Sequence, residues 1–231
     1  IVGVMSTGDE LVQGASQLKP GQIRDSNRHS IKALLDEMGV EVIDLGLIPD
    51  DEKEIESALF SGVEKCDAIV TSGGVSMGDF DYVKVVLDRL GEMKWMQVAI
   101  KPAKPLAFGL LNDVPIFGLP GNPVAAMVTF LMIAQPILRR LAGETGYRAA
   151  RVKVATDFAY KKKKGRREWV RVTLGSDGNG TPLLSKHHSS GAGILTSMSG
   201  ADGLAEIGED IERLEAGASV TYIPFSGLIL G

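Results

Sequence analysis

The stretch DAIVTSGGVSMGDFDYVKVVLDRL, residues 67–90, decides the fold class because it joins a strand to a helix through a glycine-rich turn. Its apolar start is typical of a buried strand, and its end places Val83 and Leu87 one helical turn apart. A helix that begins after such a turn gathers backbone N–H groups, and its dipole favours an anion. The turn carries no lysine and ends on Asp79 and Asp81, so a phosphate cradle alone does not explain it. We interpret Asp79 as a helix cap.

The same alternation of strands and helices extends outward from this stretch over residues 1–146. Ile31 and Leu34 mark an apolar helix face, and Asn122-Pro123 marks the start of another helix. Strand-like segments alternate with these helices: IVGVM, VEVIDLGLI, DAIVTS, KWMQVAI, PLAFGLL and VPIFGLP. The pattern predicts an α/β domain with a mostly parallel sheet and helices on both faces, which binds ligands where its strands end.

Residues 147–231 follow a different pattern. RVKVATDF, EWVRVTL and ASVTYIPF alternate apolar and polar residues, and turn sequences such as DGNG lie between them. This pattern predicts a second, small all-β domain that resembles a barrel.

Composition limits the classes of function. The 231 residues are 44% hydrophobic and 23% charged with a formal net charge of -4, which argues against nucleic-acid or membrane binding. The single cysteine, Cys66, cannot form an internal disulfide, and this fits a reducing cytoplasm. The longest apolar run, Val124–Ala134, is too short to span a bilayer. Because the chain opens on Ile1 within a strand-like segment, we expect a fragment of a longer protein.

Acidic residues follow three of the predicted strands: Glu10 in STGDEL, Asp50 in PDD and Asp81 in the glycine-rich turn. Because parallel strands end at one edge of a sheet, we expect these carboxylates to lie together with the turns KPAKP (101–105) and GLPGNP (118–123). Carboxylates from separate strands suit Mg²⁺, which usually bridges to phosphate. Taken singly, each acid is more often a helix cap or a solvated surface group.

The prolines of KPAKP favour an extended polyproline path with about three residues per turn. Lys101 and Lys104 would then point the same way, and an oxyanion between them would relieve their repulsion. The alternative is a solvated proline-rich turn. The basic run KKKKGRR (161–167) is read as a solvated hairpin tip, or as a rim that collects anions, and Arg171 could face the first domain or solvent.

Five motifs occur in a fixed order, STGDELV, GQIRDSN, TSGGVSMGDFDYV, KPAKPLAFG and GLPGNPV. Together they resemble the molybdopterin molybdenumtransferase family, which includes MoeA and the E domain of gephyrin. The resemblance implies a transferase of molybdenum cofactor biosynthesis that inserts molybdate into adenylylated molybdopterin, with Mg²⁺-dependent hydrolysis of the adenylate and release of AMP. It also implies a cytoplasmic homodimer, contact with the adenylyltransferase of the same pathway, and two N-terminal domains that this chain lacks.

The resemblance carries roles over to individual residues. The implied catalytic residues are Glu10, Asp50, Asp81, Lys101 and Lys104, of which the three acids would bind the metal. The implied substrate-binding residues are Thr7, Asp25, Asn27, Ser72, Gly73, Gly74, Ser76, Pro120, Gly121, Asn122, Pro123 and Arg171.

Three positions depart from the family pattern. Ala103 stands where the family usually has glycine, and Ala192 lacks the hydroxyl of the usual G-S-G-x-L segment. Asp202 replaces the asparagine of a downstream A-N-G. The first change is mild, whereas the second puts a molybdate contact from that segment in doubt and leaves an inactive relative as an alternative.

Two further functions stay open at this point. A molybdopterin adenylyltransferase shares the fold of the first domain, although such enzymes usually lack GLPGNP and the appended β domain. A gephyrin-like scaffold would instead use the domain pair to bind a peptide.

Overall fold

A computed structural model describes most of the chain, namely residues 1–15, 17–74, 82–103, 105–188, 191 and 193–229, and only the backbone of Trp95. The chain divides into two compact units. Unit 1 comprises Ile1–Val98 and Ala103–Leu138, and unit 2 comprises Ala99–Pro102 and Arg139–Gly231. The boundary expected between residues 146 and 147 stays a prediction.

Strands and helices are numbered along the chain. The strands are β1 (Val2–Thr7), β2 (Leu11–Val12), β3 (Ile23–Arg24), β4 (Val42–Ile48), β5 (Ala68–Ser72), β6 (Glu92–Gln97), β7 (Ile100–Lys101), β8 (Pro105–Leu111), β9 (Val114–Leu119), β10 (Val152–Thr156), β11 (Tyr160–Lys161), β12 (Arg167–Ser176), β13 (Pro182–Lys186), β14 (Gly203–Ile207), β15 (Arg213–Leu214) and β16 (Ser219–Pro224). The helices are α1 (Asn27–Glu37), α2 (Glu52–Val63), α3 (Tyr82–Leu90), α4 (Pro123–Thr129), α5 (Gln135–Leu141), α6 (Thr196–Ser199) and α7 (Phe225–Ile229).

The main sheet of unit 1 has six strands in the order β4-β1-β5-β9-β8-β6. The strands β4, β1, β5 and β9 run parallel, while β8 runs antiparallel to both β9 and β6. Every residue of β1 and β5 is buried, as expected for central strands of a covered parallel sheet. This architecture confirms the predicted α/β class with a mostly parallel sheet.

The helices of unit 1 follow the predicted apolar spacing. Ile31 and Leu34 are buried on α1, and Val83 and Leu87 are buried on α3. The Asp51 carboxylate caps α2 by accepting hydrogen bonds from two backbone N–H groups of its first turn. Asp51 therefore has the structural role that an acid after a strand most often has.

The segment KWMQVAI is not one strand, contrary to the prediction. Its first part belongs to β6, which pairs with β8, whereas Ile100 and Lys101 form β7 and pair in parallel with β12 of unit 2. The backbone N–H of Arg167 donates to the carbonyl of Ala99 at 2.8 Å and joins this short strand to β12. An apolar run does not reveal which sheet it joins, so the expectation that KPAKP follows a strand of the first sheet is wrong.

The helix that begins at Pro123 continues past the end of the apolar run at Ala134. A π-helical turn, Phe130–Ala134, connects α4 to α5, and the Gln135 N–H donates to the Phe130 carbonyl. The wider turn accommodates Pro136, whose ring would clash in a regular helix. By length and composition Pro123–Leu141 is the one helix in the described part that could cross a membrane, and 61% of its apolar window is buried inside the protein, as in a core helix.

Unit 2 is built on mostly antiparallel strands around an apolar core, and β10 pairs in parallel with β13. β12 pairs with β14 through its first half and with β13 through its second half, and this double pairing closes the ring β13-β10-β16-β14-β12. Val172, Leu184, Ala205 and Ile207 are fully buried within it. The strands confirm the predicted all-β domain, and β7 lies beside the first residues of β12.

Candidate functional site

The carboxyl ends of the parallel strands in unit 1 bring a group of predicted site residues together. Asn27, at the start of α1, donates from its side-chain nitrogen to the Ser72 hydroxyl at 2.7 Å and to the Gly121 carbonyl at 2.8 Å. The Ser72 hydroxyl donates to the Pro120 carbonyl at 3.4 Å. Because β1, β5 and β9 end at this edge, Thr7 lies there as well. We call Thr7, Asn27, Ser72–Gly74 and Pro120-Gly121 the glycine edge.

Two glycines let the backbone pack tightly at the glycine edge. Gly73 has a φ of 90°, and a Cβ there would lie 2.5 Å from the Thr7 carbonyl oxygen. Gly74 has a φ of 64°, and a Cβ there would lie 2.8 Å from the Thr7 hydroxyl oxygen and 2.3 Å from a methyl group of Val83. Any side chain would therefore push the turn away from β1, and glycine is required for both conformation and space.

Two polar atoms of the glycine edge are buried without a partner in the described part of the chain. They are the hydroxyl oxygen of Thr7 and the side-chain carbonyl oxygen of Asn27, and both residues are at most 9% exposed. An unsatisfied buried polar atom costs about 1–3 kcal/mol, so such atoms need an explanation. A ligand that supplies hydrogen-bond donors at this edge would satisfy both.

Asp25 links β1 to the start of α1, next to the glycine edge. Its carboxylate accepts hydrogen bonds from the Ser6 hydroxyl at 3.1 Å and from the Arg28 guanidinium at 2.8 Å, and it is buried. Arg28 also binds Asp44 on β4, and Lys32 binds the same carboxylate at 2.6 Å. Although burial opposes ionisation, Lys32 and Arg28 hold the pKa of Asp44 below its usual value. Asp25 was predicted to bind substrate, and its observed contacts position the start of α1.

Asp50 lies in an acidic cluster with Asp9 and Glu10. The Asp9 N–H donates to the Asp50 carboxylate at 3.3 Å, and the Asp50 N–H donates to the Asp9 carboxylate at 3.1 Å. Burial raises the pKa of Asp50, and the negative charges of Asp9 and Glu10 raise it further. Asp9 was not among the predicted site residues, although its position beside Glu10 in STGDEL is a usable signal.

A cation would relieve the crowding of negative charge in this cluster. Mg²⁺ keeps several waters and needs only one or two protein carboxylates, so Glu10 and Asp50 fit it chemically. Among the residues that the structure describes, no group of three His, Cys, Asp or Glu side chains is arranged to hold a metal. The predicted third ligand, Asp81, lies outside the described residues, as do Asp79, Ser76, Lys104 and Ala192.

The turn KPAKP does not follow a polyproline path. Ala103 has a φ of 104°, a conformation that favours glycine, so the predicted parallel alignment of the two lysines has no regular backbone to support it. The departure from the family glycine at this position therefore carries backbone strain. At the other predicted turn, Asn122 caps α4 without a side-chain hydrogen bond and Pro123 occupies the first turn of the helix, so both have structural roles in the described chain.

Unit 2 contains a second group of predicted residues, in a pocket that is open to solvent. Lys101 and Arg171 line this pocket together with Tyr160, Glu168 and Lys186. Arg171 is buried and donates to the Gly191 carbonyl at 3.2 Å, and burial lowers its pKa. We call these five residues the basic pocket. Tyr160, Glu168 and Lys186 were not predicted as site residues, because the pairing of β7 with β12 that brings Lys101 to them has no signature in the sequence.

Comparisons with known proteins identify the family of each part of the chain. Residues 3–140 match the family described as "Probable molybdopterin binding domain", and residues 153–225 match the "MoeA C-terminal region (domain IV)". A molybdopterin molybdenumtransferase of Haemophilus influenzae is 37% identical over 99% of this chain and 57% of its own length. The molybdenum cofactor synthesis protein cinnamon of Drosophila melanogaster is 36% identical over 89% of this chain and 34% of its own length.

A solved structure shows the same fold. The molybdopterin biosynthesis MoeA protein from Pyrococcus horikosii superposes with a TM-score of 0.82 at 33% identity, covering 97% of this chain and 54% of that protein. The chain thus spans about half the length of the relatives that it matches most fully.

Proposed function

Because this chain belongs to the family of probable molybdopterin-binding domains, we propose that it acts in molybdenum cofactor biosynthesis as a molybdopterin molybdenumtransferase. The proposed reaction inserts molybdate into adenylylated molybdopterin, hydrolyses the adenylate and releases AMP. The likeness to named molybdenumtransferases supports this proposal over most of the chain.

The observation that carries the proposal is the pair of unsatisfied buried oxygens at the glycine edge. The side-chain nitrogen of Asn27 already donates twice within the protein, so the unpaired atom is the carbonyl oxygen, which can only accept a hydrogen bond. An ionised phosphate offers no donor, whereas the amino and ring N–H groups of a pterin do. The glycine edge therefore fits a pterin that bears phosphate better than it fits phosphate alone.

The chain's own residues have three separate tasks in this proposal. The glycine edge binds and orients the pterin, with Gly73 and Gly74 allowing the backbone to approach it closely. Glu10 and Asp50, with Asp81, would hold Mg²⁺, which when bound neutralises charge on the phosphoanhydride and lowers the pKa of a bound water. Lys101 and Arg171 in the basic pocket bind molybdate, a dianionic substrate.

A binding experiment tests the proposal. The protein is titrated with adenylylated molybdopterin and, separately, with ATP and with inorganic phosphate. We expect saturable binding of the adenylylated pterin that is much tighter than that of ATP or phosphate. Equal affinity for ATP and for the adenylylated pterin would overturn the assignment, because the glycine edge would then recognise the nucleotide alone.

The whole protein's assembly and location follow as part of the same proposal. We propose a homodimer in the cytoplasm, and analytical ultracentrifugation at micromolar concentration measures the assembly directly. A single monomeric species across that concentration range would contradict the dimer.

A further inference from the structure

The basic pocket holds Lys101 in a defined position. In the ladder between β7 and β12, Lys101 lies opposite Glu168, so backbone pairing brings the two side chains together. The Glu168 carboxylate is only 1% exposed, and one of its oxygens lies 3.3 Å from the Lys101 ammonium. Tyr160 donates its hydroxyl to the same carboxylate at 2.7 Å. The Lys101 side chain as a whole remains half exposed, so it is held by Glu168 and is still accessible to solvent.

A second ammonium reaches the same aromatic ring. The Lys186 nitrogen lies 5.3 Å from the centroid of the Tyr160 ring, and the Lys101 nitrogen lies 5.9 Å from it. Both distances are within the range of a cation–π interaction. Lys186 ends β13, where it pairs with Val172 of β12, the residue after Arg171. Three strands therefore each bring one cation to this pocket.

The charges of the pocket define the ligand class. Its lining contains three cations, Lys101, Arg171 and Lys186, and one carboxylate, Glu168, so the formal balance is +2. Like charges gathered around one ring repel each other, and a dianion among them removes that repulsion. Lys161, Lys163 and Lys164 are exposed and do not line this pocket, which distinguishes Lys186 from an ordinary surface lysine.

We propose that Lys186 is a further anion-binding residue of the basic pocket, which takes a dianionic oxyanion between Lys186, Lys101 and Arg171. The inference rests on the proposed function in so far as the natural oxyanion is molybdate. Lys186 lies on β13 and is not part of any of the five family motifs in this chain.

Isothermal titration of the protein with molybdate at low ionic strength tests the inference. We expect Lys186→Gln to weaken molybdate binding about tenfold, the effect of losing one hydrogen bond to a charged group. Lys186→Arg keeps the charge and should stay within about threefold of the wild-type affinity. Lys153→Gln is the matched control, because Lys153 is an exposed lysine on another barrel strand and does not line the pocket. Circular dichroism checks that each variant is folded.

The outcomes separate this inference from the proposed function. If Lys101→Gln weakens molybdate binding and Lys186→Gln behaves like the Lys153→Gln control, the inference is wrong and the proposed function stands. If the wild-type protein binds adenylylated molybdopterin but binds sulfate and molybdate no more tightly than nitrate, the dianion site is wrong. If the protein binds sulfate at this pocket but does not bind molybdate, the dianion site is supported and its assignment to molybdate fails.

Discussion

The side-chain nitrogen of Asn27 lies 2.7 Å from the hydroxyl oxygen of Ser72, so the first residue of α1 is tied to the last residue of β5. This bond fixes the direction of the Asn27 amide and leaves its oxygen buried and unpaired in the described chain. The buried Asp25–Arg28 pair holds the start of α1 from the opposite side. The glycine edge is therefore built before any ligand arrives.

The Thr7 hydroxyl should matter for binding and not for folding. We expect Thr7→Val to weaken binding of adenylylated molybdopterin about tenfold, because the variant keeps the shape and loses one hydrogen bond. Thr129→Val is the matched control, since the Thr129 hydroxyl is also buried and unpaired in the described residues but lies on α4. Both variants should unfold at a urea concentration equal to or above that of the wild type. Equal ligand affinity in the two variants would contradict the role of Thr7.

Arg28 should be the most costly side chain to remove from the support of the glycine edge. It is 1% exposed and neutralises the buried Asp25 carboxylate, so Arg28→Met should lower the free energy of unfolding by about 3–5 kcal/mol. Lys32→Met removes a partly exposed partner of Asp44 and should cost less than about 1 kcal/mol. Urea denaturation measures both. A loss in the arginine variant no larger than in the lysine variant would show that the pair is not structurally important.

The acidic cluster predicts that Asp50→Asn changes the stability of the protein differently in the absence and in the presence of Mg²⁺. Burial and the neighbouring acids raise the pKa of Asp50 in the fold, so its ionised form lowers stability at neutral pH. Without Mg²⁺ the variant should be more stable than the wild type, and this advantage should fade as the pH falls through the raised pKa toward the unfolded value of 3.8. With Mg²⁺ the melting temperature of the wild type should rise and that of the variant should change little.

Asp51→Asn is the control for that experiment, because Asp51 caps α2 and asparagine accepts the same hydrogen bonds. It should keep the Mg²⁺ response of the wild type. Loss of the response in the Asp51 variant, or its survival in the Asp50 variant, would remove Asp50 from the metal site.

Ala103→Gly should stabilise the protein. The φ of 104° at Ala103 strains a side chain that glycine lacks, and the gain should be about 1 kcal/mol after allowance for the more flexible unfolded chain. Ala216→Gly is the comparison, because Ala216 is exposed in a turn and does not have a positive φ. That variant should lose about 0.4–1 kcal/mol in urea denaturation. Destabilisation of similar size at both positions would contradict the strain at Ala103.

Much of unit 1 could be predicted because its signals are local. Apolar runs, helical spacing and the turns around Gly73 and Gly121 suffice to place the ends of β1, β5 and β9 at one edge. The assignment of Asp25 to substrate came from the family resemblance, and the local sequence does not show that Ser6 and Arg28 donate to its carboxylate.

The basic pocket could not be predicted because it depends on pairing between distant strands. Lys101 lies opposite Glu168 because the two-residue strand β7 pairs with β12. Nothing in the apolar run around Ile100 indicates that the chain changes sheets there. The alanine at position 103 gives no sign of a positive φ by itself, and only the glycine that the family usually has there pointed to this backbone conformation. Such features arise from tertiary structure and not from local propensity.

The proposed function requires turnover that depends on molybdate, and the release of AMP measures this turnover. The protein is incubated with adenylylated molybdopterin and Mg²⁺, with and without molybdate, and AMP is quantified by chromatography over time. We expect that molybdate accelerates AMP release and that molybdenum is recovered with the pterin. AMP release at the same rate without molybdate, or formation of the adenylate from molybdopterin and ATP, would contradict it.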